Sequence, residues 1–327
     1  MYDVTALGEL LIDFAPVSAD AEGYPTIAAK PGGAPANFLA ALSAYGAKTA
    51  FIGKVGADVF GELLIRTLKK AGIETRGVAA DPSVFTTLAF VTLDGAGNRS
   101  FSFARKPGAD TCLRFGEVDI SLIDEARIFH FGTLSLTGQP ARETTQAAVR
   151  RAKNGGKWIS FDPNLRLSLW PSPGEAKDRI LWGLGQADIV KISDEEVDFL
   201  WGCDGEEGAR KLLEEFGVKL AMVTLGPGGA LLMNKNARAF APCPSVTPAD
   251  TTGAGDIFGG SALSRVLKLG MAPEDLGENE LREIAAFATT AASLSTEKTG
   301  GIPSIPAEEE INRMIPIRHG EDRAEGC

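Results

Sequence analysis

The sequence predicts an α/β protein with a mainly parallel central sheet and a small inserted β-sheet. The first observation is a repeated alternation of apolar β-rich runs with helical patterns, which is typical of parallel sheets. The second is an interruption of this alternation by a hairpin that has no helix between its strands. The third is size and composition: 327 residues with 44% hydrophobic and 23% charged residues suit a soluble protein with a sizeable core.

The N-terminal part begins the alternation. Residues 4–14 start as a buried strand and continue as an alternating one, and residues 38–45 form an apolar helical pattern that ends at Gly46. Residues 50–56 are predicted to be the next strand. Residues 60–71 are predicted to be the helix that follows it.

A hairpin then replaces the expected helix. Residues 85–93 are β-rich, residues 94–98 form the turn, and residues 99–104 alternate again. Such an insert can cover an active site as a lid. Two cations follow it in the segment 105–110.

The alternation resumes after the hairpin, and no internal repeat or linker divides the chain. We therefore predict one domain over residues 1–315, with lid strands from about 10–30 and 84–112, and a polar tail over 316–327. The remaining predicted strands are 127–132, 157–162, 188–192, 220–225, 230–233 and 238–242, and the remaining predicted helices are 140–153, 173–184, 281–294 and those beginning near 193 and 256.

The net charge and the residue composition argue against several classes of protein function. The net charge of −10 and the pI near 4.9 argue against a general nucleic-acid binder, although a local anion site is compatible with them. Four scattered cysteines, no apolar run of membrane length and no basic-then-apolar N-terminus predict a cytoplasmic protein without a membrane partner. The two histidines, His130 and His319, have no neighbourhood that suits a hydrolase triad or a metal site.

The segment 250–256, Asp-Thr-Thr-Gly-Ala-Gly-Asp, precedes an apolar helical pattern. Small residues at a helix start leave backbone N–H groups directed at one place, which is an anion site. Asp256 would repel an anion, so we interpret it as the acceptor of a proton from a hydroxyl that attacks a bound phosphate. The alternative is a helix start with incidental glycines and an exposed carboxylate.

Two other segments contain candidates for binding a polar ligand such as a sugar: one holds Asp13 and the other holds Gly32, Gly33 and Asn37. Asp13 is a carboxylate among apolar residues; it either lies in a turn or on a solvent-facing strand position, or accepts hydrogen bonds from a polar ligand. Gly32 and Gly33 precede a helix and allow close backbone approach, with Asn37 in the first turn. Loops also use such glycine pairs without a ligand.

Further candidates follow predicted strands. Asp162, Asn164 and Arg166 lie where ligand groups gather in open α/β sheets, and the alternative is a capped turn. The segment 193–196, Ser-Asp-Glu-Glu, has the pattern of a helix N-cap, although Glu196 near a metal is a second possibility. The glycine-rich segment 226–229 is either a nucleotide-contacting loop or a plain turn.

Common phosphate-handling motifs are missing from the sequence. It contains no GxxxxGK[ST], no HRD or DFG set, no GxGxxG after the first strand and no GxSxG. These absences argue against a P-loop protein, a protein kinase, a dinucleotide dehydrogenase and an α/β-hydrolase.

Over residues 4–306 the chain resembles the PfkB, or ribokinase-like, family of carbohydrate kinases. The segments 32–37 and 250–256 look like its two signatures in the family's order. The resemblance is strongest to the fructokinase branch, through segments 105–110, 130–136, 161–170 and 191–194. Kinases of 2-keto-3-deoxygluconate typically carry Asn-Tyr-Arg where this chain has Asn164-Leu165-Arg166.

The resemblance implies a fold, a reaction and partners. The fold is a ribokinase-like three-layer α/β/α sandwich with a β-sheet lid. The reaction is ATP-dependent phosphorylation of D-fructose to D-fructose 6-phosphate, with Mg²⁺ and K⁺ as cofactors and a homodimer formed through the lid. A 2-keto-3-deoxygluconate kinase or ribokinase of the same fold, a non-catalytic sugar-binding or regulatory protein, and an unrelated nucleotide-binding oxidoreductase are the alternatives.

The resemblance also implies residue roles in transfer and sugar binding. Asp256 is the base, and the backbone of Gly253, Ala254 and Gly255 forms the anion hole. Arg166 faces the substrate or the phosphates. The implied sugar-binding residues are Asp13, Gly32, Gly33, Asn37, Arg105 and Asp256.

Nucleotide and metal roles complete the implied site. Residues 193–196 replace the family's Asn-x-x-Glu, with Glu196 as the Mg²⁺-linked carboxylate, and Thr289 stands where many members place Asn or His near adenine. The implied nucleotide-binding residues are Lys191, Ser193, Thr224, Gly226, Gly229, Gly255 and Thr289. The implied monovalent-cation residues, acting largely through carbonyl oxygens, are Asp250, Thr252, Ser295, Lys298, Gly300 and Ser304.

Overall fold

A computed structural model of the chain describes residues 1–93 and 99–315. The turn predicted at 94–98 and the polar tail predicted at 316–327 lie outside the described residues. Within the described residues, no helix has the length and apolar character needed to cross a membrane.

Two sheets contain the described strands. Successive parallel strands with interior apolar side chains are buried on both faces, as expected of an α/β sheet. The strands are β1 (Tyr2–Leu7), β2 (Leu11–Ala19), β3 (Pro25–Gly32), β4 (Thr49–Gly56), β5 (Ile73–Asp81), β6 (Leu88–Leu93), β7 (Arg99–Ala104), β8 (Ala126–Gly132), β9 (Trp158–Asp162), β10 (Ile189–Ser193), β11 (Leu220–Thr224), β12 (Ala230–Met233) and β13 (Arg238–Ala241).

The large sheet has nine strands in the order β13-β12-β11-β10-β9-β8-β1-β4-β5. The seven strands from β11 to β5 are parallel, and β12 and β13 add an antiparallel edge. The mainly parallel sheet predicted from the sequence is confirmed. The carboxyl ends of its parallel strands point to one edge, where a ligand site is expected.

Helices cover both faces of this sheet. One buried apolar cluster joins the sheet to α1, α2, α8 and α9, and a second joins it to α3, α4, α5, α6 and α7. The predicted three-layer α/β/α sandwich is therefore confirmed. The helices are α1 (Ala34–Ala44), α2 (Val59–Lys70), α3 (Ile120–Asp124), α4 (Ala141–Asn154), α5 (Pro173–Leu184), α6 (Asp194–Trp201), α7 (Gly205–Phe216), α8 (Ala254–Leu269), α9 (Glu278–Ser295) and α10 (Glu308–Met314).

The second sheet is the lid, in the order β3-β2-β6-β7. Strands β2 and β3 pair antiparallel, β6 and β7 form the predicted hairpin, and β2 joins them by pairing parallel with β6. The stacked rings of Phe14 and Phe90, 5.2 Å between centroids, and the edge contact of Phe14 with Phe60 pack the lid onto α2.

Residues 4–14, predicted as a buried strand that continues as an alternating one, fall into β1 and β2, which belong to different sheets. The chain leaves the large sheet after Leu7 and enters the lid at Leu11. Gly8 still donates to the carbonyl of Ile52 in β4, whereas the N–H of Ile12 donates to Thr87 beside the lid. The sequence analysis placed lid strands from about residue 10 onward, but it did not mark the break between β1 and β2.

Four elements have no counterpart in the sequence prediction: β5, α3, α7 and α10. Strand β5 lies at the edge of the sheet and carries charged side chains such as Glu74 and Arg76, which weaken the β pattern. Helix α7, in contrast, carries clear local signals that the sequence analysis did not use: its residues alternate with helical period, Asp204 caps its start and a left-handed Gly217 ends it.

Candidate active site

The first turn of α8 is the centre of the site. Helix α8 begins at Ala254, and Gly253 before it is left-handed, with φ 79°. A Cβ at Gly253 would lie 3.0 Å from the Cα of Gly301 and 3.1 Å from Nδ2 of Asn37, so the turn has no room for a side chain. Helical N–H groups in a first turn have no acceptor within the helix. The predicted helix start is confirmed, and its N–H groups and positive dipole end suit an anion.

Two cavities lie on either side of this turn. A cavity of about 300 Å³ is lined by Gly253 and Asp256, and a cavity of about 570 Å³ is lined by Ala254 and Gly255. Thr251 lines both. We call them the small cavity and the large cavity. Two separate ligands, one in each cavity, could therefore both reach a group that is bound at this turn.

The small cavity brings together most of the residues predicted to bind a sugar. They come from the lid, from the start of α1, from the loop after β9 and from α8, so distant parts of the chain meet here. Its lining residues are Glu9, Leu11, Asp13, Gly33, Ala34, Asn37, Phe103, Leu134, Asn164, Arg166, Thr251, Thr252, Gly253 and Asp256.

Asp256 is only 8% exposed and faces the small cavity. Asn37 donates from Nδ2 to Oδ2 of this carboxylate over 2.9 Å, which fixes its orientation. Burial raises the pKa of Asp256, and the Asn37 hydrogen bond and the charge of Lys191 oppose that rise. An oriented, partly desolvated carboxylate with a raised pKa has the properties of a general base.

Asp13 is the second carboxylate of the small cavity. It lies against Gly32, where a Cβ would be 2.1 Å from Oδ2, so this contact requires glycine. Burial raises the pKa of Asp13 to about 7; the guanidinium of Arg166 opposes the rise and Asp256 adds to it. Arg166 and the two carboxylates therefore form one electrostatic cluster around the cavity.

Lys191 lies between the two cavities without lining either. Its ammonium group is 3.2 Å from Oδ2 of Asp162, and a Cβ on Gly255 would lie 2.9 Å from Nζ. Burial lowers the pKa of Lys191, but the charges of Asp162, Glu196 and Asp256 outweigh this effect and raise it. A permanent cation therefore lies directly behind the anion-binding turn.

Arg105 does not line the small cavity, which differs from the expectation that it reaches the sugar from the lid. Its guanidinium is buried and donates to Asp110 through Nε and Nη2, to Thr137 and to the carbonyl of Leu134. A buried guanidinium requires such partners. Among the described residues of the β6–β7 hairpin, Phe103 is the one that lines the cavity.

The large cavity contains most of the predicted nucleotide residues. Ser193, Thr224, Gly226, Gly229, Gly255 and Thr289 line it, whereas Lys191 does not. The Thr289 hydroxyl is buried, 3% exposed, and has no hydrogen-bond partner within the described residues. Additional lining residues that the sequence analysis did not assign are Asp194, Glu195, Cys243, Pro244, Ser245, Val246, Pro248, Phe258, Ala292, Ser293 and Thr296.

Glu196 lines neither described cavity beside α8. One carboxylate oxygen accepts from the N–H of Leu165 over 2.7 Å and the other from the N–H of Ser193 over 2.9 Å. Together with the Ser193 hydroxyl it forms a capping box at the start of α6. Its position as a helix cap is thus observed, and its link to Mg²⁺ stays a prediction.

Asp250 ties together the segments predicted to hold a monovalent cation. Its Oδ1 accepts from the N–H of Thr252 over 2.8 Å and its Oδ2 from the N–H of Gly300 over 2.9 Å. The hydroxyls of Ser295 and Ser304 donate to carbonyls three residues earlier, and Lys298 lies 3.9 Å from Glu310. In the described part of the chain, no group of three or more His, Cys, Asp or Glu could hold a metal ion.

Sequence reasoning missed Glu9, Phe103 and Leu134 in the small cavity. Glu9 carries the same signal as Asp13, a carboxylate directly after a buried strand, and that signal could have identified it. Phe103 and Leu134 carry no such signal, because an apolar residue in a strand or turn is more often part of a core.

The chain is similar to known proteins over nearly its whole length. Residues 1–308 match the pfkB family of carbohydrate kinases. The chain is 42% identical over 315 residues to fructokinase-1 of Zea mays, covering 95% of this chain and 97% of the relative.

Two solved structures extend the likeness to three dimensions. The fructokinase of Vibrio cholerae O395 with fructose, ADP and calcium ion bound has a TM-score of 0.85 and 33% identity, covering 97% of this chain and 99% of that one. The fructokinase of Xylella fastidiosa with bound ATP has a TM-score of 0.83 and 31% identity, covering 96% and 98%.

Proposed function

The chain belongs to the pfkB family of carbohydrate kinases, and we propose that it transfers the γ-phosphoryl group of ATP to the 6-hydroxyl of D-fructose. The observation that carries this proposal is the placement of two cavities on opposite sides of the α8 first turn, with Asp256 on one side only. The fructokinase names and the bound fructose, ADP and ATP of the similar proteins support the choice of substrates.

The sugar occupies the small cavity in this proposal. Asp13, Gly33 and Asn37 contact its hydroxyls, and Arg166 neutralises charge near the acceptor. Asp256 removes the proton of the attacking hydroxyl. The sugar oxygen then forms a bond to the γ-phosphorus while the bond between that phosphorus and the β-phosphate oxygen breaks, so ADP leaves and Asp256 holds the proton.

The backbone of Gly253, Ala254 and Gly255 stabilises the transferring group. N–H groups fixed at a helix start need no reorganisation when charge develops, which is the main requirement of phosphoryl transfer. Lys191, bonded to Asp162 beside Gly255, adds positive charge there. The lid excludes water that would otherwise compete with the sugar for the phosphoryl group.

ATP occupies the large cavity, with phosphates toward α8. Thr224, Gly226 and Gly229 line its β11 side, and Thr289 faces the base. Mg²⁺ would supply charge neutralisation of the phosphates; Asp194 and Glu195 line this cavity and suit its hydration shell, whereas both oxygens of Glu196 already accept backbone N–H groups.

A K⁺ ion fits the loop that Asp250 organises. The Asp250 carboxylate holds residues 252 and 300 together by their N–H groups, which leaves carbonyl oxygens of this region for a large monovalent cation. The proposed ligands are in Asp250, Thr252, Ser295, Lys298, Gly300 and Ser304. The ion would reinforce the loop behind the anion-binding turn.

Self-association through the lid is part of the proposal. Val17 and Tyr24 are 66% and 71% exposed, and Ile27 and Phe90 of the same sheet are also exposed. Exposed apolar side chains on one sheet favour burial against a second copy. Light scattering gives the mass that tests this, and a monomer at all assay concentrations would contradict it.

The proposed activity is tested by ADP release with a panel of sugars. We expect the highest kcat/KM with D-fructose and lower values with ribose, glucose, nucleosides and 2-keto-3-deoxygluconate. Turnover of 2-keto-3-deoxygluconate but not fructose would assign the neighbouring substrate. Sugar binding without turnover of any panel member would indicate the non-catalytic alternative.

A further inference from the structure

Glu9 lies where the chain passes from the large sheet to the lid. It follows β1 directly and is 2% exposed. Its Oε1 accepts the N–H of Ala34, the first residue of α1, over 2.8 Å. Helix α1 has no acidic residue in its first turn, and its N-cap, Gly33, has no side chain. Glu9 therefore supplies the cap of α1 from a distant position in the sequence.

The cap uses only part of the carboxylate. An ionised carboxylate has about four acceptor positions on its two oxygens; the N–H of Ala34 takes one and the backbone N–H of Glu9 itself takes another, which leaves positions for a ligand. Glu9 also lines the small cavity together with Asp13, Asn37 and Asp256. A further void of about 10 Å³, lined by Glu9, lies beside it. The cap thus borders the volume in which the sugar is proposed to bind.

Burying the charged form of the Glu9 carboxylate away from water costs free energy unless hydrogen-bond donors replace the lost water. Burial raises the pKa of Glu9 to about 7; its own backbone N–H, the Ala34 N–H and the positive charge of Arg105 oppose the rise, and the charge of Asp110 adds to it. Hydroxyl donors in the small cavity would replace water as partners of the charged form. The sugar supplies several such donors, whereas apolar ligands supply none.

We propose that Glu9 is a specificity-determining residue that accepts a hydrogen bond from a sugar hydroxyl other than the one that is phosphorylated. The inference rests on the proposed function, because it takes the small cavity as the sugar site. The same carboxylate positions Gly33 and Asn37 through its bond to Ala34. Glu9 therefore couples recognition of the sugar to the placement of the segment that holds it.

The test is Glu9→Gln, which keeps an oxygen for the Ala34 N–H and nearly the same volume but removes the charge. We expect the KM for fructose to rise about 10- to 100-fold, the range for a lost hydrogen bond to a charged group, with the KM for ATP within about twofold. The melting temperature should stay close to that of the wild type because the cap is retained.

Fructose analogues that each lack one hydroxyl provide the second measurement. One analogue lacks the hydroxyl that donates to Glu9. Its KM should exceed the KM for fructose about 10-fold or more in the wild-type enzyme, whereas in Glu9→Gln the two KM values should be almost equal. If every analogue raised the KM by the same factor in the wild type and in Glu9→Gln, the proposal would be overturned. So would an unchanged fructose KM in a folded Glu9→Gln.

A matched control is Asp204→Asn. Asp204 also caps a helix, α7, by accepting from the N–H of Glu207, but it lines neither cavity. We expect this variant to lower the melting temperature without a selective rise in the fructose KM. Failure of the wild-type enzyme to phosphorylate fructose would refute the proposed function itself. An active wild-type enzyme together with an unchanged fructose KM in Glu9→Gln would refute only this inference.

Discussion

The two cavities beside α8 share a wall but differ in how they can recognise a ligand. The small cavity is lined by ionisable and amide side chains, with Asp13, Asn37, Arg166 and Asp256 supplied by four separate segments. The large cavity is lined mainly by small, apolar and proline residues around Val246 and Phe258.

This difference teaches how one helix start can serve two ligands. A sugar offers many directional hydroxyls, so its cavity needs oriented charges whose positions the whole fold must fix. A nucleobase offers a flat apolar surface, so shape and a few polar groups suffice. We therefore expect substitutions in the small cavity to have larger and more selective effects than substitutions in the large one.

The largest effect is expected for Asp256→Asn. Removing a general base typically costs about 10²- to 10⁴-fold, so kcat should fall by that factor while sugar binding changes little. Steady-state ADP release and sugar titration by calorimetry measure the two quantities. Asp188→Asn, a carboxylate that accepts from the N–H of Ile159 away from both cavities, is the control. A nearly normal kcat would exclude Asp256 as the base.

The next effect concerns Lys191, the buried cation beside Gly255. Lys191→Met should lower the free energy of unfolding by about 3–5 kcal/mol, because Asp162 then remains as an uncompensated buried charge. Adding Asp162→Asn should restore much of that stability but not kcat, since the positive charge beside Gly255 is still missing. Denaturant titration and kcat of the single and double variants test this. If the double variant recovered kcat as well as stability, Lys191 would contribute to folding and not to catalysis.

A pH profile tests the carboxylates of the small cavity. Burial raises the pKa values of Asp13 and Glu9 to about 7, so these two groups take up protons as pH falls through 7; burial also raises the pKa of Asp256. We expect kcat/KM for fructose to fall by about tenfold or more per pH unit below this value, because kcat/KM reports the free enzyme. Asp13→Asn should make the fall shallower. A flat profile between pH 6 and 8 would contradict the electrostatic cluster.

The smallest effect is expected in the large cavity. Thr289→Val removes a buried hydroxyl that has no partner in the described structure, so stability should be unchanged or slightly higher. If the hydroxyl meets the nucleobase, the KM for ATP should rise about two- to tenfold with the fructose KM unchanged. Thr290→Val, a neighbour that lines a different groove, is the control. An unaltered KM for ATP would show that the base is held by shape alone.

The sequence by itself determined the fold class and the central motif. Parallel β-α-β alternation depends on local periodicity, and the helix start at 253–256 depends on small residues before an apolar helix, so both are visible without tertiary information. The polar groups Asp13, Asn37 and Arg166 were also identifiable, because carboxylates, amides and guanidinium groups at strand ends and helix starts are local signals.

Only the tertiary structure decided which of these groups meet. It placed Glu9 at the break between β1 and β2 and joined Asn37 to Asp256 across the chain. In the tertiary structure Arg105 also donates to Asp110 rather than lining the small cavity, and Phe103 lines that cavity. A side chain's partners are set by packing between distant segments, whereas a residue's type and its periodicity are properties of the chain alone.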